Sequence, residues 1–248
     1  MCGRFADYFE TEELVDVFGA ERVVDPPAPS WNVAPTSKIA VVRAAQGNAP
    51  SDGDGPGGDA GGMIRELRGG RWGLVPSWAK DPLGGARLIN ARSETVTVKP
   101  SFRSAARSRR ALIPAAGYYE WESAASGPKT PYYLHPPDGG PIAMAGLYEW
   151  WWPPGPVRAQ GPGTVPDPLF SATVITRAAT DSTGQIHDRM PLIVPAEAWA
   201  DWLDPALREP AQVQELIASL PDPELIPRRV GRAVGSVRNN GPHLIEPA

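Results

Sequence analysis

The chain is short of the residues that build metal sites and disulfides. It holds one cysteine, Cys2, and three histidines, His135, His187 and His243, in 248 residues. A lone thiol cannot close an internal disulfide, so a reducing, cytoplasmic location is expected. One cysteine and three scattered histidines do not give zinc-ligand spacing. No nucleotide-binding glycine loop is present either, so no cofactor and no metal is expected. No long uninterrupted apolar run occurs and mean hydropathy is −0.29, which argues against a helical membrane span and a membrane partner. The first residues lack the charged-then-apolar pattern of a secretory signal.

A surplus of positive charge is also missing. The net charge is −4, no advertisement for nucleic-acid binding. The balance is uneven along the chain, however. From Thr95 to Tyr119 there is no acid, but there are Lys99, Arg103, Arg107, Arg109 and Arg110. From Leu225 to Ile245 there is again no acid, with Arg228, Arg229, Arg232 and Arg238. A locally basic face on an acidic protein and an ordinary solvated surface both fit this pattern.

What is present is enough apolar residue, 42%, for a proper core. Thr11 reads as the cap of a helix that carries Glu12 and Glu13 in its first turn and stops at Gly19. Pro195 suits the first turn of a helix through Leu203, and Pro210 that of another. Strand-like runs are more numerous: Ile39–Arg43, Tyr132–Leu134, Ile142–Tyr148, Ser171–Thr176 and Leu192–Val194. Alternating βαβ units are not evident. The expectation is an α+β fold, one domain over residues 1–248, with a curved, largely antiparallel β core flanked by short helices. Gly/Pro-rich residues 46–70 and 152–168 read as flexible insertions within it.

Cys2 changes character if Met1 is removed, and its small side chain favours that removal. The chain then begins with a 1,2-aminothiol, an α-amine two bonds from a thiol. An aldehyde attacked by the amine gives an imine, and the thiol closes on the imine carbon to make a five-membered thiazolidine. Unperturbed, the amine titrates near ~8 and the thiol near ~8.5. On Cys2 alone, a frayed terminus is the better account.

Other segments add polar groups. Trp31-Asn32-Val33-Ala34-Pro35-Thr36 is a polar turn before a strand. Arg71-Trp72-Gly73-Leu74-Val75-Pro76-Ser77-Trp78 is aromatic and glycine-bearing. Leu88 to Thr95 places Asn90 and Arg92 two apart, on one face if extended. Gly117-Tyr118-Tyr119-Glu120-Trp121 sets one carboxylate among aromatics. Ile186-His187-Asp188-Arg189-Met190-Pro191 places a histidine just before a strand.

In this order the segments resemble the SRAP family, the SOS-response-associated peptidase domain, over nearly the whole chain apart from the two insertions. The resemblance implies capture of abasic sites in single-stranded DNA through Cys2. It implies a stable DNA–protein crosslink that shields the lesion during the damage response, and single-strand/double-strand junctions at forks as further partners. The residue chemistry fits. Ring opening of the abasic sugar needs proton transfer. Glu120, desolvated between Tyr119 and Trp121, would have its pKa raised towards neutrality and could serve as general acid/base; a tethered salt-bridge carboxylate is the bland alternative. Histidine as a residue type can gain or lose a proton in the physiological range, and by resemblance His187 assists ring opening and reversal, or else it is a turn histidine held by Asp188. Asn90 would orient the Cys2 amine or the sugar hydroxyl.

For DNA, Arg4, Arg92 and Arg189 are the phosphate candidates by charge and family position, each also readable as an ordinary ion pair. Pro35 and Thr176 match family positions along the DNA path. Trp78 would stack on or wedge beside a base, or else pack in the core. The chain departs from the family at Ala79, where related members carry a second aromatic, and its Lys80–Arg87 loop is longer. A monomer would serve. Two other readings stay open. One is a hydrolase with Cys2 as N-terminal nucleophile, including self-cleavage that releases Met1. The other is a non-covalent reader of modified bases, which needs neither Cys2 nor Glu120.

Overall fold

The computed structural model describes residues 2–47, 62–122, 127–154, 168–180 and 186–248. Its strands are β1 (Phe5–Asp7), β2 (Arg22–Val24), β3 (Ser30–Val33), β4 (Lys38–Gln46), β5 (Met63–Trp72) and β6 (Asn90–Arg92). They continue as β7 (Arg110–Ala115), β8 (Gly117–Glu122), β9 (Thr130–His135) and β10 (Ile142–Trp151). The last are β11 (Leu169–Ala178), β12 (Arg189–Pro191) and β13 (Ile226–Arg229). The helices are α1 (Thr11–Phe18), α2 (Arg103–Ser108), α3 (Trp199–Leu203) and α4 (Pro210–Ser219).

Two sheets form. One is antiparallel in the order β13-β9-β8-β1-β3. The other runs β12-β11-β10-β7-β4-β5-β2, and β5 also pairs with β11 in parallel, Arg71 opposite Ser171 and Trp72 opposite Ala172. That last ladder closes β4, β5, β11, β10 and β7 on themselves as a small barrel, which removes two exposed edges. Strand periodicity divides the core. Ile39, Val41, Ala111, Ile113, Met144, Ala172 and Val174 point to the side that also holds Cys2, Phe5 and Tyr118. Ala40, Val42, Leu112, Ala145, Leu147 and Ile175 point to the side covered by Leu14, Phe18, Trp199, Trp202, Val213 and Ile217 of the helices. Burial of apolar surface at roughly 25 cal/mol per Å² makes both layers stabilising.

Local chemistry explains the elements. α1 buries Leu14 and Phe18 and ends at Gly19, whose φ of +60° suits glycine. Its cap is Glu10, one residue ahead of Thr11: the Glu10 and Glu13 side chains each accept from the other's backbone N–H. The Pro195 turn begins as a 3-10 segment, Ala196–Ala198, before α3. α4 starts at Pro210 as expected. The expected loop over 46–70 is corrected at both ends. β4 runs to Gln46 and β5 begins at Met63, so Gly69 and Gly70 lie in a strand. Gly70 is there for close approach, since a Cβ on it would sit 2.7 Å from the Phe170 ring. Residues 48–61 and 155–167, which contain most of the two expected insertions, lie outside the described residues. Leu192–Val194 is not a strand. The ladder is made by Arg189–Pro191 against β11, and beyond it Ile193 makes a single bridge to Met144.

Candidate active site

The site begins with β1. Arg4 O accepts from Tyr119 N at 2.9 Å and Ala6 O from Ala116 N at 2.7 Å, with Phe5 opposite Tyr118. The chain ahead of β1 therefore runs back along β8 towards Glu120. Cys2 is fully buried. Burial first, and then the charge of Glu120, push its thiol far above the ordinary range. At neutral pH the resting sulfur is a thiol and not a thiolate.

β8 supplies the opposing groups by its two-residue repeat. Tyr118 and Glu120 share one face, and Tyr119 and Trp121 the other, which packs with Ala6, Tyr133 and Val234. Glu120 is 5% exposed. Burial raises its carboxyl above the usual range, while the charge of His187 works in the opposite direction. The Tyr118 phenol is also raised, by burial and then by Cys2 and Glu120. Cys2, Tyr118, Glu120 and His187 thus act on one another's charge. Tyr118 went unnoticed in the sequence, although the alternation of Gly117–Trp121 places it on the Glu120 face.

Asn90 comes from the other sheet. β6 lies parallel to β11, Asn90 opposite Val174 and Arg92 opposite Thr176. The Asn90 Nδ2 donates to Cys2 O at 2.6 Å. Its Oδ1 is buried and has no hydrogen-bond partner among the described residues. His187 sits immediately before β12. Its Nδ1 lies 2.9 Å from the Asp188 carboxylate and 3.0 Å from Arg189 N. The backbone N–H can only donate, so that bond requires a bare Nδ1, whereas the carboxylate favours a protonated one. The two contacts compete for one ring nitrogen.

The expected DNA-binding residues divide. Arg92 is exposed. Trp78 is 66% exposed, so core packing is excluded for it. Pro35 is half-buried in the turn between β3 and β4, beside Thr36 at φ +69°. Thr176 is fully buried, and its backbone carbonyl accepts from Arg189 Nη2 at 2.6 Å. Arg189 is gripped by Glu94 at 2.5 and 3.0 Å, a bidentate pair that the sequence did not suggest. Arg4 donates to Asn32 Oδ1 at 2.7 Å and Val234 O at 2.9 Å, with its guanidinium 6.0 Å from the Trp121 ring centre. In this state Arg4 and Arg189 fasten segments together, and Arg92 and Trp78 face solvent. The acid-free run from Thr95 to Tyr119 does not form one basic face: Arg110 is buried and Arg109 pairs with Glu149 at 2.8 Å. A sizeable cavity lies elsewhere, along β4, β5 and the end of β10.

Cys2 is thus fixed between a strand that carries a carboxyl and an amide from the second sheet. The chain belongs to the SOS response associated peptidase (SRAP) family, whose model matches residues 1–237. It is 34% identical over 99% of both chains to the abasic site processing protein YoqW of Bacillus subtilis. It is 29% identical over 100% of both to the abasic site processing protein YedK of Escherichia coli. Against the abasic site processing protein HMCES of Gallus gallus it is 32% identical over 76% of this chain and 60% of that one. A crystal structure of a Bacteroides thetaiotaomicron protein superposes with a TM-score of 0.76 at 21% identity over 100% of both chains, which shows the shared fold.

Proposed function

We propose that the protein processes abasic sites, capturing them in single-stranded DNA as a thiazolidine on Cys2 once Met1 is gone. Its relatives' names support abasic-site processing. The observation that carries the covalent reading is the clamp on the terminal residue: Asn90 holds Cys2 O at 2.6 Å while the buried Glu120 acts on the same residue.

The ring-closed sugar first opens to its aldehyde. Glu120 is suited to exchange the proton between anomeric hydroxyl and ring oxygen, because burial raises its carboxyl above the usual range and so favours the protonated form. The Cys2 amine adds to C1′, and the carbinolamine loses water to give the imine. The Sγ–H then adds across the C=N bond, sulfur to carbon and proton to nitrogen. One water leaves in all, and no oxidant is required. A neutral thiol suits this order, since the amine must react first. The iminium that would drive strand cleavage by β-elimination is consumed. The unpartnered Asn90 Oδ1 is an acceptor for the amine or a sugar hydroxyl, and exposed Trp78 and Arg92 are the contacts for a neighbouring base and phosphate. Release of Met1 by an aminopeptidase or by self-cleavage supplies the amine. Cutting other peptides would require a Cys2 thiolate, which burial opposes.

The test is untagged protein with a confirmed Cys2 terminus, mixed with an oligonucleotide carrying one abasic site, then denaturing gels and intact mass. The expected product is the sum of the two masses less one water, absent with Cys2→Ser and absent on intact DNA. Absence of any adduct from wild type would sink the covalent reading. Peptide cleavage retained by Cys2→Ser would move the assignment to a hydrolase.

A further inference from the structure

A groove of about 860 Å³ opens at the rim of the barrel, lined among others by Thr36, Lys38, Arg68, Arg71, Trp150 and Phe170. One of its cations, Arg68, belongs to a cluster held by a buried carboxylate. The Glu66 side chain, 2% exposed, takes three guanidiniums: Arg43 and Arg68 at 2.9 Å and Arg22 at 3.3 Å. One buried carboxylate thus leaves a surplus of two positive charges. Arg68 lies 4.9 Å from the Trp150 ring centre and 5.6 Å from that of Phe170. Arg43 lies 5.4 Å from Tyr148 and 5.8 Å from Trp150. Aromatic faces and Glu66 together hold these side chains in place before any ligand arrives, which lowers the entropy cost of binding. Among the described residues Arg68 donates only through Nε, leaving both terminal nitrogens for an anion. Arg71 spends Nη1 on Pro82 O at 2.9 Å. Among the described residues the acid facing the groove is Asp25, which pairs with Lys38 at 2.6 Å in an exposed and therefore weak contact.

Two straps tie the groove to the loop that follows Trp78. Arg71 Nη1 and Trp151 Nε1 bind Pro82 O and Ala79 O, fastening the loop that follows Trp78 to the groove wall. Thr36, next to Pro35, lines the groove and bonds to Trp72 O. We propose that this groove receives backbone phosphates of the single strand flanking the captured lesion, with Arg68, Arg71 and Lys38 as the contacts. This extends the binding path beyond Trp78 and rests on the abasic-DNA reading.

The experiment uses strands bearing a tetrahydrofuran abasic analogue, which has no aldehyde, so that binding is read without crosslinking. Fluorescence polarisation compares strands of about 6 and about 20 nucleotides, below and above a typical single-strand site size. Lys38→Gln and Arg71→Gln, both on accessible side chains, are expected to weaken the long strand about 3–10-fold each. They should reduce the salt slope by about 0.7 per lost phosphate and leave the short strand unchanged. Equal affinity of wild type and both variants for the long strand overturns the groove. Titration with inorganic phosphate and with a mononucleotide separates the sources. Weak or no binding of either supports a polymer ligand; tight binding that Arg71→Gln abolishes without altering strand affinity assigns a small anion and overturns the proposal. A wild type that fails to crosslink but binds the long strand through Arg71 sinks the covalent reading and leaves the groove standing. One that crosslinks, with variants binding normally, sinks the groove alone.

Discussion

Glu120 on β8 and Asp7 on β1 are both buried carboxyls, and their surroundings differ. Glu120 lies where its charge acts on Cys2 and feels that of His187, the surroundings on which its proposed acid/base role rests. Glu120→Gln keeps the shape and removes the exchange. The crosslinking rate should fall by about 10²-fold, the lower end for a lost general acid/base, with strand affinity unchanged in polarisation measurements. Asp7 faces a cavity of about 70 Å³ between β1, β3 and β4, and its Oδ1 has no hydrogen-bond partner among the described residues. Burial raises its carboxyl to about 8 from 3.8. The folded state therefore holds a proton that the unfolded chain releases near pH 4. This contribution to stability is whole below about pH 4 and declines with rising pH until it is lost near pH 8. Asp7→Asn, neutral at every pH, should flatten that decline. In urea melts the variant should gain on wild type between pH 4 and pH 8, by up to about 1.4 kcal/mol per unit, and match it at pH 4. A constant offset across the range would refute the titration.

At the scale of elements, the sequence was most legible where one pattern had one explanation. α1, α4, β9 and β10 announce themselves through caps, an initial proline or apolar runs, and the structure extends the two strands by a few residues. β7 was missed because Arg110–Ala115 is buried on both faces and contains Pro114, so it shows no alternation. β5 was hidden by Gly69 and Gly70, which look like loop residues until Phe170 is seen against them. Leu192–Val194 misled through composition: these residues are buried, but the ladder belongs to the more polar Arg189–Pro191 just before. The site divides the same way. Cys2, Glu120, Asn90 and His187 were readable as an ordered set of motifs, and the structure sets Asn90 against Cys2. Glu94 was not readable as the partner of Arg189, because that bond joins residues 95 apart. The parallel β5–β11 ladder that closes the barrel was equally invisible, pairing Arg71 with Ser171 across a hundred positions.

The molecule as a whole depends on how its helices are joined to that barrel, and a single cation does much of the joining. Arg110, at the start of β7, is 2% exposed. Its Nε donates to Trp202 O at 2.7 Å, and Nη1 to Ala106 O at 2.7 Å and Leu207 O at 2.9 Å, while Nη2 meets Asp204 O. α2, α3 and the segment after α3 therefore share one guanidinium, with the Trp202 ring centre 5.9 Å from it. Burial lowers Arg110 to about 10, partly offset by Asp204, so the side chain stays charged under ordinary conditions. Arg110→Met replaces it with an apolar chain and strands these carbonyls in a dry layer. A loss of about 3–5 kcal/mol in denaturant unfolding is expected. Trp202 and Ala106 belong to the helix-side core and Cys2 to the other, so the crosslinking rate per folded molecule should hold at the wild-type value. If the variant is as stable as wild type, Arg110 is not what fastens the helices. If it is stable but slow to crosslink, the two core layers are coupled and the separation of scaffold from site fails.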